Sequence, residues 1–217
     1  MTSNADQKAL PNTAGMLIHW ALRYDLLVWL ASFGREQKIR GMVLDLARLK
    51  PGESILDVGC GTGTLAIAGK RRVGPQGEVF GIDASAEMIA RAGKKAKRAG
   101  VEVSFKNALA EALPFSPGRF DAVLSTVMLH HLPRKLRLQC LREIRRVLKP
   151  DGRMLAVDWP RPAEEAKGLW ARLHRHGRVN FPELLDMFKE AGFRCVETGA
   201  LGIGGLQFVL GVASAAG

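Results

Sequence analysis

From residue 54 onward the chain alternates short runs of aliphatic and β-branched residues with longer stretches whose apolar positions recur at helical spacing. The run ILDV over 55–58 predicts an apolar strand ending at Gly59, and a helical pattern follows over 65–73. EVFGID over 78–83 predicts a second strand, 86–99 a second helix, 101–105 a third strand and FDAVLS over 120–125 a fourth. Leu136, Cys140, Leu141, Ile144, Val147 and Leu148 fall on one helical face. Pro150-Asp151-Gly152 is expected to stop that helix before a fifth strand over 153–158. Such alternation specifies an α/β fold, a mostly parallel sheet with helices on both faces.

The tail has a different grammar. Phe181-Pro182-Glu183 opens a helix that runs to Ala191 and ends at Gly192. Two strands then follow, 193–198 and 207–213, joined through the glycine-rich 199–205. So short a link cannot hold a crossover helix, so the pair must be an antiparallel hairpin at one edge. The expected sheet has seven strands.

Composition narrows the class. With 47% hydrophobic and 24% charged residues over 217 positions, the chain can bury a core without disulfide staples, and disorder is excluded for most of it. Cys60, Cys140 and Cys195 are far apart and form no C-x-x-C pair, which argues against a disulfide framework or structural zinc and fits a reducing cytoplasm. No metal is expected. Residues 1–13 are polar and lack a signal-peptide pattern. The apolar stretch 16–33 is interrupted by His19, Arg23 and Asp25, so it reads as an amphipathic helix rather than a membrane span. A cytoplasmic protein is expected, with peripheral contact at a membrane as the variant.

A formal charge of +11 favours anionic partners: nucleic acid, anionic lipid or an acidic substrate. The basic residues are spread over several predicted helices, among them Lys94, Lys95, Lys97 and Arg98, and Arg142, Arg145, Arg146 and Lys149. No aromatics interleave with them as a base-stacking platform requires, so they read as solvated faces and nucleic acid is marked down.

The chemistry concentrates at Asp57-Val58-Gly59-Cys60-Gly61-Thr62-Gly63, where the first strand meets the following helix. Gly59 and Gly61 permit backbone conformations a Cβ would forbid and allow close approach of a ligand, while Gly63 permits tight packing of helix on strand. Twenty residues beyond Gly63, Asp83 closes the second strand, where an acidic side chain accepts hydrogen bonds from ribose hydroxyls. The spacing is G-x-G-x-G, not the G-x-G-x-x-G of dinucleotide sites, and Asp57 stands two residues before the first glycine. An anion there repels a diphosphate and suits a ligand carrying an ammonium and a sulfonium.

ILDVGCGTGTLAI, VFGIDASAEMI, AEALPF, FDAVLSTVMLHHL and LREIRRVLKPDGRMLAVD together resemble the successive motifs of class I S-adenosylmethionine-dependent methyltransferases. The chain is most similar to the type 11 group, which includes the ubiquinone/menaquinone-biosynthesis C-methyltransferases. That resemblance covers roughly 24–158 and implies a Rossmann-like sheet. It also implies one domain over 1–217: a flexible start over 1–13, lid helices over 14–50, a cofactor-binding core over 51–158, and an acceptor-side segment with the hairpin over 159–217. Asp57, Gly59, Cys60, Gly61, Thr62 and Gly63 would then lie under the methionine part of the cofactor. Asp83 would take both ribose hydroxyls, with Ala84 and Met88 against the adenine; ordinary helix core is the other reading of Met88.

The family places Asp or Asn one residue before Ala-Glu to bond the adenine amino group, whereas this chain has Leu109 there. Adenine recognition must then rest on packing and on the backbone of Leu109 and Ala110, at a cost of roughly 1 kcal/mol. Ser125 and Thr126 are implied to meet the cofactor, helix capping being the alternative for Thr126. Tyr24 resembles the family's covering tyrosine; it could equally pack a lid helix.

Methyl transfer from a sulfonium demands alignment and exclusion of water, and a base only where the acceptor must lose a proton. His131 is the candidate base; His130 and His131, as neighbours on a helical turn, are expected to diverge. Acceptor pockets in the family are built from segments that here are 16–33, rich in Leu and Trp, and 159–181, which carries Arg172, His174, Arg175, His176 and Arg178. A lipophilic or lipid-like acceptor with an anionic group fits both, and C- or O-methylation of a quinone precursor is the leading expectation. Phospholipid N-methylation, nucleic-acid methylation and cofactor binding without catalysis are the alternatives. Base-modifying enzymes hold the target nitrogen on an N-P-P-[YF] loop after the fourth strand, and here that place reads Ser125-Thr126-Val127-Met128.

Overall fold

A computed structural model of the chain describes residues 36–161 and 178–214. Tyr24, the stretch 16–33, and Arg172, His174, Arg175 and His176 lie outside the described residues. The described elements, in chain order, are α1 (Glu36–Leu46), β1 (Ser54–Val58), α2 (Thr64–Val73), β2 (Glu78–Asp83), α3 (Ala86–Arg98), β3 (Ser104–Asn107) and β4 (Phe120–Thr126). A 3₁₀ turn (Leu129–His131) follows, then α4 (Arg134–Val147), β5 (Leu148–Asp158), α5 (Phe181–Glu190), β6 (Phe193–Ala200) and β7 (Gln207–Ala213).

The strands form one seven-stranded sheet in the order β3-β2-β1-β4-β5-β7-β6. β1 to β5 pair in parallel, and β7 runs antiparallel to both β5 and β6. The sheet is therefore mostly parallel with the antiparallel hairpin at one edge. Strand order reverses between β1 and β4, which opens a crevice beyond their carboxyl ends.

Continuous apolar strands make sense only if both sheet faces are covered, and they are. Leu56, Val58, Val123, Met154 and Ala156 turn to a core shared with α4 and α5. Their neighbours Ile55, Ala122, Leu124, Leu155 and Val157 turn to the opposite core, where Val43 and Leu44 of α1 and Ala66 and Val73 of α2 meet them. This is the two-residue period of a strand written into two separate cores.

Most boundaries fall within two residues of the expected ones, and two strand starts differ by more. The third strand begins at Ser104, not at 101, because the chain leaves α3 through Gly100 at φ 64 and first meets a ladder partner where Ser104 pairs with Phe80. Pro150-Asp151-Gly152 does not stop the fourth helix. That helix ends at Val147, and β5 already begins at Leu148. The Pro-Asp-Gly segment is instead an excursion within β5, between the pairs Phe120–Leu148 and Ala122–Arg153, with Asp151 at φ 59. Proline has no N–H for the ladder, so the strand bows out there and rejoins.

Candidate functional site

The loop after β1 is shaped by what its glycines touch. Gly59, Gly61 and Gly63 all have positive φ (76, 52 and 77), which side-chain-bearing residues rarely adopt. A Cβ on Gly59 would stand 2.2 Å from Cγ of Met128, so Met128 closes over the loop from the far side of the crevice. At Gly63 a Cβ would meet Phe105 of β3 at 2.6 Å and Ala92 of α3 at 2.8 Å. The backbone amides of Gly59 and Cys60 both donate to the Ile82 carbonyl (2.9 Å), which ties the loop to β2.

Asp83 does more than sequence position suggested. One carboxylate oxygen accepts from the Gly61 amide (2.9 Å) and the other from the Ser85 amide (2.8 Å). Each keeps a lone pair for a ligand hydroxyl. Burial pushes this carboxyl above its ordinary range, opposed by those two amides. Asp57, 2% exposed on β1, is pushed further, to about 7, by burial and then by the neighbouring charge of Asp83, against a backbone hydrogen bond from Ala66. Its Oδ2 is buried with no hydrogen-bond partner. Burial and these two carboxylates likewise hold the Cys60 thiol well above its usual value.

The opposite wall comes from β4. Leu124 pairs with Asp57, so Ser125 and Thr126 extend just beyond it. The hydroxyls of both are buried and have no partner. Thr126 caps no helix: the residue before the 3₁₀ turn is Met128 and the one before α4 is Pro133, neither with a side-chain cap. Between Thr126 and Met128, Val127 sits at φ 54, a strained conformation for a β-branched residue, and Met128 packs back over Gly59.

The third wall follows β3. The Ala108 amide donates to the Asp83 carbonyl (3.1 Å), bringing the half-buried Leu109 and Ala110 to the same end of the sheet. Asn107, overlooked in the sequence, donates its side-chain amide to that same carbonyl (2.8 Å). Ala84 is half-buried at the mouth, whereas Met88 is only 2% exposed and faces the core. Lys95 is not the solvated surface charge its helix pattern predicts: its ammonium donates to the hydroxyls of Thr62 (2.8 Å) and Thr64 (2.9 Å). No spacing rule could have found it, because it reaches the loop from another helix.

The two histidines do not diverge as expected. Their rings lie 3.9 Å apart between centroids at 45°, with the His130 ring held by its contact to Asp158. Burial first, and then the charge of His130, lower the His131 pKa to about 4, with Asp158 opposing. A nitrogen that binds a proton only near pH 4 is a weak base at neutrality, which speaks against the base expected at His131. Among the described residues no group of three or more His, Cys, Asp or Glu could hold a metal ion. No helix among them is long and apolar enough to cross a membrane.

A parallel sheet whose crevice joins a glycine-bent loop to one buried and one half-buried carboxylate has the layout of the doubly wound α/β class, in which ligands sit beyond the strand ends where the order reverses. Residues 55–152 match the family described as the methyltransferase domain. The demethylmenaquinone methyltransferase of Thermus thermophilus is 42% identical over 154 residues, which is 71% of this chain and 69% of that one. The ubiquinone/menaquinone biosynthesis C-methyltransferase of Yersinia enterocolitica is 35% identical over 147 residues, 67% of this chain and 58% of the relative, so the chain spans less than two thirds of that protein. Among solved structures, a SAM-dependent methyltransferase from Aquifex aeolicus matches with a TM-score of 0.72 at 25% identity, over 89% of this chain and 96% of that one. The chain belongs to the class I S-adenosylmethionine-dependent methyltransferases, alongside the quinone-biosynthesis C-methyltransferases.

The residues present fit that cofactor. Asp57 has an unpartnered buried oxygen, Met128, Phe105 and Ala92 pack so closely on the loop that only glycine fits at Gly59 and Gly63, and Asp83 keeps free lone pairs.

Proposed function

We propose that this enzyme methylates a small lipophilic acceptor of the quinone-precursor type, at carbon or oxygen. The carrying observation is the row of unpartnered buried polar atoms at one end of the sheet: Asp57 Oδ2, Ser125 Oγ, Thr126 Oγ1 and His131 Nδ1. Buried polar atoms are rarely left without a partner, and four gathered at the carboxyl ends of the strands are groups a bound ligand can satisfy. When bound, S-adenosylmethionine supplies a methyl group already attached to a good leaving group. Asp57, once ionised, offsets the cofactor's positive charge, and its raised pKa means that a cation restores the carboxylate burial disfavours. Asp83 accepts from the ribose hydroxyls while holding Gly61 in place. Gly59, Cys60, Gly61, Thr62 and Gly63 line the methionine portion. Ala84, Leu109 and Ala110 take the adenine edge, with Met88 packed behind them. Ser125 and Thr126 complete the wall nearest the transferred group. Tyr24 is assigned the cover.

Support for the acceptor comes from the two quinone-biosynthesis relatives and from the Leu- and Trp-rich sequence 16–33, joined to the basic cluster around Arg175 and Arg178. An apolar body with an anionic group suits that pairing. The test is calorimetry with the cofactor and its demethylated product, followed by transfer of labelled methyl to quinols, phenols, phospholipids and RNA. Label in a quinol or phenol is expected. Label only in phospholipid or RNA, or NAD binding more tightly than either sulfur nucleoside, would overturn it. Replacing Arg175 and Arg178 with Ala should raise the acceptor KM and leave cofactor affinity alone.

A further inference from the structure

The turn after β4 meets the end of β5 at a second carboxylate. His130 Nδ1 lies 2.8 Å from Oδ1 of Asp158, and the backbone amide of His130 donates to Oδ2 of the same residue (3.2 Å). The Trp159 amide also donates to Oδ1 (2.8 Å). The side chains are 6% and 1% exposed. A carboxylate only accepts, so this contact fixes the ring proton on Nδ1 and leaves a lone pair on Nε2, the nitrogen away from Asp158. The turn itself is clamped by buried Arg137, which donates to the carbonyls of Leu129 and Leu132 (3.0 Å each). β5 is two strands from β1 and Asp158 lies three residues beyond Leu155, the position in line with Asp57, so the two carboxylates are separated by about 10 Å across the sheet and about 10 Å along it. At the end of β4 between them stand two unpartnered hydroxyls, Ser125 on the face of the sheet that carries Asp158 and Thr126 on the face that carries Asp57. Joining the turn to β5 requires only the backbone contact to Oδ2. The oriented ring, its stacked neutral partner and the fully buried Ser125 hydroxyl are more than such a tie needs.

We propose that His130, oriented by Asp158, accepts the hydroxyl proton of a hydroxyarene acceptor during methyl transfer, with Asp158 as a positioning residue. This rests on the methyltransferase reading and deepens it, naming an aromatic acceptor whose hydroxyl must ionise. The O–H proton passes to Nε2, and the oxygen's electrons increase density at the ortho carbon. That carbon, or the oxygen itself, attacks the methyl carbon. The carbon–sulfur bond breaks with its pair remaining on sulfur, giving a neutral thioether. For attack through carbon, the ring hydrogen leaves to water and His130 returns its proton to the oxygen. For attack through oxygen, His130 passes its proton to water. Either way one methyl is transferred, one proton is released and no oxidant is needed. The charged and titratable groups facing His130 are Asp158 from β5, His131 from its own turn and Arg137 from α4. Glu183 of α5 and Arg161 act on Arg137 in turn.

The test uses the full chain with 1,4-dihydroxynaphthalene under reducing conditions and labelled cofactor, from pH 6.5 to 9.5. His130→Gln should lower kcat about 100-fold at pH 7. The gap should close to a few-fold towards the acceptor's own ionisation, near pH ~10 for a phenol, where no base is needed. Asp158→Asn should lose about tenfold and close the same way, as expected when the wrong tautomer is favoured. Cofactor affinity should stay within twofold in both. A gap constant with pH, or a loss of cofactor affinity that matches the loss of kcat, would mean that the pair is only structural. Nitrogen NMR of the wild type gives an answer that needs no variant to fold: the His130 proton must sit on Nδ1, and its presence on Nε2 sinks the idea. If the wild type binds cofactor but methylates neither this quinol nor 1-naphthol, the acceptor reading falls and the dyad's role falls with it. If it methylates them and the variants match it, only the dyad's role falls.

Discussion

The two ends of the sheet are built on opposite terms. At the amino end charge is matched: Arg153 holds both Glu53 oxygens (2.6 and 3.0 Å) and the carbonyl of Arg48, joining β5 to the start of β1 and the end of α1. Lys149 grips Asp121 (2.8 and 2.9 Å), whose carboxylate also accepts from the Ser54 amide. Ser54 Oγ and Arg119 Nε are the unmatched exceptions there, and the Arg119 guanidinium lies 4.4 Å from the Phe80 ring centroid. At the carboxyl end four buried polar atoms lack partners, two carboxyls are pushed up in pKa, and Val127 is strained. One end contributes stability and the other gives some of it up, as groups held ready for a ligand must.

Arg153→Met should break the comparison most sharply. Only 15% of that side chain is exposed, and losing it strands Glu53, so unfolding free energy should fall by about 3 kcal/mol in a denaturant titration while cofactor affinity is unchanged. At the other end, Asp83→Ala should weaken S-adenosylmethionine about 100-fold by calorimetry, since two charge-assisted bonds and the Gly61 anchor go together. Gly59→Ala drives a Cβ against Met128 at positive φ and should cost about 2 kcal/mol of stability. Pairing it with Met128→Ala should relieve the contact and leave the backbone strain, recovering roughly half.

Asp57→Asn should reveal the trade directly. Because the folded carboxyl is raised to about 7, its stabilising contribution is complete below the unfolded value of 3.8 and is lost as pH rises through about 7. The variant should therefore be more stable than the parent by about 1–2 kcal/mol at pH 8, a difference that shrinks as pH falls towards 4. Cofactor binding carries the opposite sign, because a cation favours the ionised carboxyl. Wild-type affinity for S-adenosylmethionine should rise about tenfold from pH 6 to pH 8, and Asp57→Asn should flatten that slope. A slope that survives the substitution would place the titration elsewhere.

The sequence alone carried the alternation of strand and helix, the antiparallel tail and the glycine loop with Asp57 and Asp83, because these are local patterns: a period of two against 3.6, a link too short to cross over, glycines where φ turns positive. It misread Pro150-Asp151-Gly152 as a helix stop and His130 and His131 as divergent, since a bulge is defined by the neighbouring strand and a 3₁₀ turn by what clamps it. Tertiary structure alone decided that Met128 closes over Gly59, that Lys95 reaches Thr62 and Thr64, that Asn107 joins Asp83, and that Asp158 orients His130 from 28 positions away. Each of those contacts depends on which strands lie side by side and in what register. Burial shifts a pKa only once the surrounding chain has excluded water, so the raised carboxyl of Asp57 and the neutral ring of His131 belong to the fold and to no single stretch of residues.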